Sequence, residues 1–460
     1  MWDDSLDRAR RFAGEWMASL PERPVGIPVD AAAMRARLDG PLPPEGLSAT
    51  QVIDELAAAL EPGLVATGGP RYFGFVTGGA LPAALGADWM VSATDQNVAA
   101  AVMSPAAAAV EAVTTRWVLD LLGLPPDAAI GFVTGAQMAN VSCLAAARHA
   151  LLDAQGWDVG ADGLAGAPVP TVLVGGKVHS TVLQALRLLG FGSDRAVRVP
   201  ADDQGRMRPD LLRELLAAVD GPVLVCAQAG QVDTGACDPL EAVADVVHAR
   251  EQAWLHVDGA FGLWAAAAPS RRHLVAGVER ADSWAVDAHK WLNVPYDSGL
   301  AIVRDPTALT RALSLSAAYL AVDARDPSGR TPESSRRNRA LPVYAAVRSL
   351  GRRGVADLVE RCCALARQAA EELGRHPGVE VLADVELNQV LFRPRDIDPA
   401  ELSRAVARDG TCWVGTTVWA DRPAVRFSVS NEPIPGPSTP TSGSTSPTTR
   451  GWRSSATRRR

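Results

Sequence analysis

The chain has 460 residues, 47% of them hydrophobic, enough for two or three packed units around a large core. Its 45 lysine and arginine residues against 52 acids give a net charge of −7, which argues against a general nucleic-acid or anionic-membrane surface. There is no run of about 18 uncharged apolar residues, no apolar leader after the acidic start Met1-Trp2-Asp3-Asp4, and no CxxC spacing among the cysteines. A cytoplasmic protein with reduced thiols is therefore expected.

In chain order, Asp4 to Leu20 reads as an amphipathic helix, and Ser48 to Leu60 as a second with a serine cap. A Gly-rich aromatic segment, Arg71-Tyr72-Phe73-Gly74-Phe75, follows. Ser104-Pro105 then opens a helix on which Val110, Val113, Trp117 and Leu121 share one face. From about 129 to 305 short apolar runs alternate with helical patterns. The runs are Thr171–Val174, Ala196–Val199, Pro222–Cys226, Trp254–Val257, Trp284–Val286 and Leu300–Val303. Between them lie Ser180–Leu189, Pro209–Val219 and Pro239–Gln252, which predicts an α/β unit with a mostly parallel sheet. Ligands of such sheets sit beyond the carboxyl ends of the strands.

Residues 320–340 carry charges but no apolar period and read as a mobile loop. A long helix through Arg361–Leu373 and strands at Gly378–Leu382, Gln389–Phe392, Trp413-Val414 and Ala424–Val429 read as a smaller α+β unit. The expected divisions are 1–103 (helical), 104–310 (large α/β), 311–344 (loop and connection), 345–431 (small α+β) and 432–460 (disordered tail). That tail is Pro/Ser/Thr/Arg-rich and has no leucine or valine. In an arginine-biased chain such a break predicts either a shifted reading frame or a natural flexible tail. Mass spectrometry of the terminus separates the two.

Only two of the basic residues are lysines, Lys177 and Lys290; all others are arginine. A lysine retained against that bias points to chemistry closed to arginine, which cannot lose its proton. Lys290 ends the run Ser283-Trp284-Ala285-Val286-Asp287-Ala288-His289-Lys290-Trp291, after a predicted strand. A desolvated lysine there, near a cationic group, is expected to have a lowered pKa and to suit imine chemistry. The alternative is a surface lysine lying along Trp291. A small-residue turn, Val133-Thr134-Gly135-Ala136-Gln137, runs into a helix and exposes backbone N–H groups to an anion, or is an ordinary tight turn. Asp258 leaves an apolar strand in Trp254-Leu255-His256-Val257-Asp258-Gly259-Ala260, where a carboxylate is costly unless paired. It could hold a cationic heterocycle, bind metal or cap a helix. His179, beside Lys177, could be a core, stacking or acid–base histidine. His248 and His256 have no HExxH or Cys/His spacing, so no metal site is expected. An anion turn, a strand-end Asp and a strand-end Lys, in that order, together suit pyridoxal phosphate.

Asp287-Ala288-His289-Lys290-Trp291, with His256-Val257-Asp258-Gly259-Ala260 upstream, resembles the pyridoxal-phosphate-dependent group II amino-acid decarboxylases over about residues 70–431. The resemblance implies a type I, aspartate-aminotransferase-like fold, with a mostly parallel central sheet and a smaller C-terminal α+β domain. It also implies a homodimer and a small-molecule amino-acid substrate, with neither nucleic acid nor membrane as partner. By position, Lys290 would form the Schiff base, Asp258 pair with the ring nitrogen, and His179 and Ala260 cover the two ring faces. Gly135, Ala136, Gln137 and His289 would surround the phosphate, and Thr77 would contact the substrate carboxylate. Ser104-Pro105-Ala106 with Glu111 matches the helix after it. The implied reaction is decarboxylation of an L-amino acid, with an aromatic or apolar one preferred because Arg71 alone is cationic on the matching N-terminal segment.

Three departures bear on this. Gln137 and Met138 replace the Ser/Thr and Glu usual in the family's turn, and the chain departs from the family after Asn431. In addition, Val322–Arg339 lacks the loop tyrosine that protonates the α-carbon; the nearest is Tyr319, so His179 or Tyr319 would serve instead. That last departure keeps open an aldehyde-forming oxidative deamination or a carbon–carbon lyase reaction. A catalytically silent cofactor-binding homologue is the remaining alternative.

Overall fold

The computed structural model describes residues 2–26, 29–42, 44–314 and 328–431. Tyr319, residues 320–327 of the charged loop and the 432–460 tail fall outside the described residues.

Seven short apolar runs form the central sheet: β1 (Ala129–Val133), β2 (Thr171–Gly175), β3 (Val197–Val199), β4 (Val223–Gln228), β5 (Ala253–Asp258), β6 (Ser283–Asp287) and β7 (Gly299–Val303). Their spatial order is β1-β7-β6-β5-β4-β2-β3. The pairs β2–β3, β2–β4, β4–β5 and β5–β6 are parallel, whereas β7 runs antiparallel to both β1 and β6. Both faces are covered, and so the strands read as continuous apolar runs. Alternation along β4 sends Val223, Val225 and Ala227 into one core and Leu224 and Cys226 into another. The second core receives the Ala136–Asp153 helix through Ala139, Cys143, Leu144 and Ala147. Trp264, Trp284 and Trp291 are among the largest fully buried side chains, and each is worth roughly 3 kcal/mol or more in burial.

The five strands β1, β2, β4, β5 and β6 all end at one edge of this sheet. Residues just beyond those ends therefore meet, although they lie far apart in sequence. The architecture is that of a type I pyridoxal-phosphate fold, with a mixed rather than wholly parallel sheet and a smaller C-terminal unit. That unit is an antiparallel sheet of order β10-β11-β9-β8, built from β8 (Val379–Val381), β9 (Gln389–Pro394), β10 (Gly415–Trp419) and β11 (Arg422–Ser428). The expected strand at Trp413-Val414 is displaced by two residues. Trp413 instead bridges to Tyr72 and stacks on it at 5.0 Å, which ties the aromatic N-terminal segment to this unit.

At the N-terminus Trp2–Ser19 and Ala49–Leu60 are helical, the latter closed by a Ser48/Gln51 capping box worth about 1 kcal/mol. The long C-terminal helix begins well before Arg361: it spans Ala340–Gly374 and is interrupted at Gly351 (φ 62°). The Pro82–Thr94 helix was not anticipated; its apolar face is only partly buried, with Ala84, Ala87 and Val91 inward and Trp89 and Met90 exposed. None of the six cysteines is in a disulfide. Among the described residues no helix is long and apolar enough to cross a membrane, and no His/Cys/Asp/Glu group could hold a metal ion.

Candidate active site

Beyond the strand ends lies a cavity of about 320 Å³ lined by Thr134, Gly135, Ala136, Gln137, His179, Thr181, Gln228, Gly230, Val232, Asp258, Ala260, Phe261, Asp287, His289 and Lys290. Eight of the nine residues expected to form the site, all except Thr77, line this one cavity.

The floor is set by β6. Asp287, 2% exposed, accepts from Lys290 Nζ at 2.8 Å through Oδ2. Its Oδ1 faces His289 Nε2 at 3.3 Å and accepts the Ala136 backbone N–H at 2.5 Å. This overturns the expectation of a lysine with lowered pKa. Burial does push the Lys290 ammonium toward deprotonation, but the charge and hydrogen bond of Asp287, aided by Asp258, outweigh it and raise the pKa. The sequence reading counted His289 as the flanking cation. In the structure, burial holds His289 below the usual histidine value. The Ser298 N–H donates to its Nδ1, so the neutral ring carries its proton on Nε2, toward Asp287.

The turn Thr134–Gln137 opens the Ala136–Asp153 helix. Two glycines permit the close packing there: a Cβ on Gly299 at the start of β7 would stand 2.4 Å from the Gly135 Cα, and a Cβ on Gly135 would meet His289 Cε1 at 2.9 Å. Of the first-turn donors, Ala136 N–H is taken by Asp287 and Ala139 N–H by the Gly135 carbonyl. Those of Gln137 and Met138 have no intrahelical acceptor and remain for an anion.

Asp258, at the end of β5, is 5% exposed; its Oδ1 accepts the Ala260 N–H at 3.1 Å and its Oδ2 lies 3.4 Å from Asn140 Nδ2. His179 caps the Ser180–Leu188 helix and is fixed by Thr181, whose hydroxyl lies 2.8 Å from Nδ1. Burial lowers the pKa of His179, only partly opposed by Asp258, so it is neutral near pH 7. Two carboxylates, an amine, two histidines and a helix N-terminus lining one cavity of about 320 Å³ form a donor set that fits pyridoxal phosphate.

Thr77 lies outside the cavity wall. It sits on a strap, Gly74–Gly79, pressed against the Lys290 turn, where a Cβ on Gly78 would meet the Lys290 carbonyl oxygen at 1.9 Å. Phe75 and Val76 both adopt positive φ (54° and 55°), costing on the order of 1–3 kcal/mol each. Asn293 holds the strap in place: its Oδ1 accepts the Gly79 N–H at 2.8 Å, and its Nδ2 donates to the Trp291 and Ser430 carbonyls. Beside Thr77, Tyr296 stacks on His289 at 4.3 Å. Sequence reasoning missed Asp287, Asn140 and Tyr296 as site residues, although Asp287 and Tyr296 flank the very motif that located Lys290. Ser104 caps the Pro105–Leu122 helix, and Glu111 on it forms a buried bidentate pair with Arg336 rather than a wall of the cavity.

Comparison with known proteins gives the same reading. The profile of the pyridoxal-dependent decarboxylase conserved domain matches residues 32–395. The aromatic-L-amino-acid decarboxylase of Bacillus atrophaeus is 28% identical over 387 residues, covering 82% of this chain and 78% of that protein. The L-2,4-diaminobutyrate decarboxylase of Rhizobium meliloti is 30% identical over 412 residues, covering 85% and 80%. Among solved structures, the Oryza sativa TDC with PLP and tryptamine superposes with a TM-score of 0.84 at 28% identity, covering 93% of this chain and 92% of that one.

Proposed function

The chain belongs to the pyridoxal-dependent decarboxylase family, and we propose that it decarboxylates an L-amino acid to the amine, with Lys290 holding the cofactor covalently. The observation that carries the proposal is that Lys290, Asp258, His179 and the Gly135–Gln137 helix start all line one cavity. Bound there, pyridoxal phosphate supplies an electron-withdrawing ring that stabilises the charge left on the α-carbon when CO2 departs. Asp258 keeps the ring nitrogen protonated by its negative charge, an electrostatic role that gains strength in a site this buried. His179 and Ala260 confine the ring, while the Gln137 and Met138 N–H groups, with His289 beside them, hold the phosphate. Thr77, on its strap beside Lys290, orients the substrate carboxylate.

An apolar or aromatic substrate is supported by the wall formed by Val232, Ala260 and Phe261. Arg71 is unavailable to a charged substrate, because its guanidinium donates to the Thr411 and Arg23 carbonyls at 3.0 and 2.9 Å. The family's range of substrates, visible in an aromatic-amino-acid and a diaminobutyrate enzyme, makes the choice a matter of screening. A homodimer is supported by the N-terminal helices, which leave Trp2 78% exposed and Leu6, Val52 and Leu56 turned to solvent. Six cysteines without a disulfide suit a reducing cytoplasm.

The test is an absorbance spectrum of protein loaded with pyridoxal phosphate beside Lys290→Ala, followed by carbon-14 release from carboxyl-labelled amino acids. The proposal requires a borohydride-fixable band absent from the variant, and CO2 with matching amine. CO2 accompanied by aldehyde, ammonia and oxygen uptake would replace it with oxidative deamination. Cofactor bound without release of CO2 from any amino acid would replace it with the silent homologue.

A further inference from the structure

A chain of buried hydrogen bonds runs behind Asp258 and reaches the cavity again at His179. Trp254 Nε1 lies 2.9 Å from Ser283 Oγ, and Ser283 Oγ lies 2.9 Å from His256 Nδ1. His256 Nε2 lies 2.8 Å from Asn140 Oδ1. The Asn140 amide nitrogen then serves two branches, Asp258 Oδ2 at 3.4 Å and Thr181 Oγ1 at 3.5 Å. Thr181 Oγ1 continues to His179 Nδ1 at 2.8 Å. Asn140, His256 and Ser283 are wholly buried, so no group in the middle can turn to water instead.

The two ends fix the direction of every bond. An indole N–H can only donate and an ionised carboxylate can only accept. Asp258 therefore selects the NH2 of Asn140, which turns the Asn140 oxygen to His256. That oxygen requires a proton on His256 Nε2. The neutral ring then accepts at Nδ1, so Ser283 donates its O–H there and accepts from Trp254. The neutral state of His256 follows independently from burial, which lowers its pKa to about 3. On the other branch, Thr181 accepts from Asn140 and spends its single hydroxyl proton on His179 Nδ1. The Thr181 backbone N–H points to the same nitrogen at 3.4 Å. His179 is thereby held as the tautomer with its proton on Nε2.

We propose that Asn140 is a positioning residue, oriented by the Trp254–Ser283–His256 chain, that fixes Asp258 as acceptor toward the cavity and His179 as an Nε2–H donor. The proposal deepens the decarboxylase reading and rests on it for the role of Asp258 and His179. Its physical content is that one amide couples two residues of the cavity lining, Asp258 and His179, so both lose their orientation together when it is removed.

Two measurements test it. The first uses nitrogen-15 spectra of the apoprotein labelled at histidine, with signals assigned through His179→Asn and His256→Asn. Both residues should be neutral and carry their proton on Nε2; a proton on His256 Nδ1 would reverse the chain and overturn the proposal. The second is equilibrium dialysis of pyridoxal phosphate against the apoprotein. Asn140→Ala should retain it roughly ten- to a hundredfold more weakly, the scale of a hydrogen bond to a charged group. Adding His256→Phe to that variant should weaken retention no further, because the two act as one unit. A melting temperature lowered in Asn140→Ala with cofactor retention unchanged would reduce Asn140 to a packing role and overturn the proposal. If Asn140→Ala does not fold, Ser283→Ala replaces it, and weakened retention is expected there too. A wild-type chain that binds no pyridoxal phosphate would defeat the decarboxylase reading itself, while the spectra would still decide the direction of the chain.

Discussion

Replacing Asp287 by asparagine removes a charge while keeping the shape of the group that Lys290 leans on. The wild-type carboxylate lies 2.8 Å from Lys290 Nζ, with the two side chains 3% and 20% exposed, so solvent screens the pair little. A hydrogen bond to a charged group in such a setting is worth roughly 1.5–3 kcal/mol. The amine must be neutral to capture an aldehyde, and each ~1.4 kcal/mol is a factor of ten in the neutral fraction. Asp287→Asn apoprotein should therefore capture pyridoxal phosphate about 10- to 100-fold faster near pH 7, followed by stopped-flow absorbance. Loss of a negative charge beside the Gly135–Gln137 turn favours the phosphate and acts in the same direction. Because the folded pKa of Lys290 is raised, its contribution to stability is complete below the ordinary lysine value of 10.5 and is lost as pH rises through the higher folded value. The stability gap between wild type and variant should therefore narrow only in strong alkali. Capture with an unchanged rate and pH profile would show that Asp287 does not hold the amine charged.

Three further outcomes follow from the same geometry. His256 stays neutral to about pH 3 in the folded chain but binds a proton near 6.5 when unfolded, so stability should fall by up to about 1.4 kcal/mol per pH unit on acidification across that window; denaturant titrations of His256→Phe should show a shallower acid limb, and parallel limbs would contradict the assignment. Glu111→Ala strands the Arg336 guanidinium, which is 2% exposed, and should cost about 3–5 kcal/mol in denaturant titrations, whereas a change within experimental scatter would show the pair to be dispensable. Tyr296→Phe removes the phenol beside Thr77 and His289, and should shift products from amine toward aldehyde with oxygen uptake if that hydroxyl supplies the α-carbon proton; an unchanged product ratio assigns the proton elsewhere.

Much of the site was legible because its residues sit in short runs at strand ends. Asp258 ends β5, His289 and Lys290 follow β6, and Gly135–Gln137 follow β1, so strand prediction alone places them at one sheet edge. What the sequence concealed is pairing over distance. Asn140 meets Asp258 across 118 positions and His256 across 116, and neither spacing has a local signature. Asp287 was visible in the motif, but its effect on Lys290 depends on which rotamer and which neighbours share its two oxygens. The Gly-rich aromatic segment at 71–75 carries no signal for the strap at 74–79 that it runs into, where Phe75 and Val76 take positive φ and Gly78 packs against the Lys290 carbonyl. Trp413 was taken for a strand residue on its apolar character, whereas stacking on Tyr72 uses that character in another way.

The two lysines show how far composition can carry an inference and where geometry must take over. Arginine bias singled out Lys177 and Lys290 equally. Lys177 places its ammonium over the Trp419 ring at 4.9 Å, a cation–π contact that an arginine would make at least as well. Nothing in that setting calls for a proton to leave. Lys290 instead lines the strand-end cavity, beside a carboxylate that holds its charge and in a lining that includes a second carboxylate, Asp258. Only there does the ability to exist as a neutral amine matter, since a guanidinium could pair with Asp287 but could never become the nucleophile. Lys290→Arg should then keep much of the fold's stability through the Asp287 contact and lose covalent capture of the cofactor altogether, while Lys177→Arg should capture it at the wild-type rate. Borohydride trapping of both variants side by side decides the matter, and trapped label in Lys290→Arg would locate the reactive amine at Lys177.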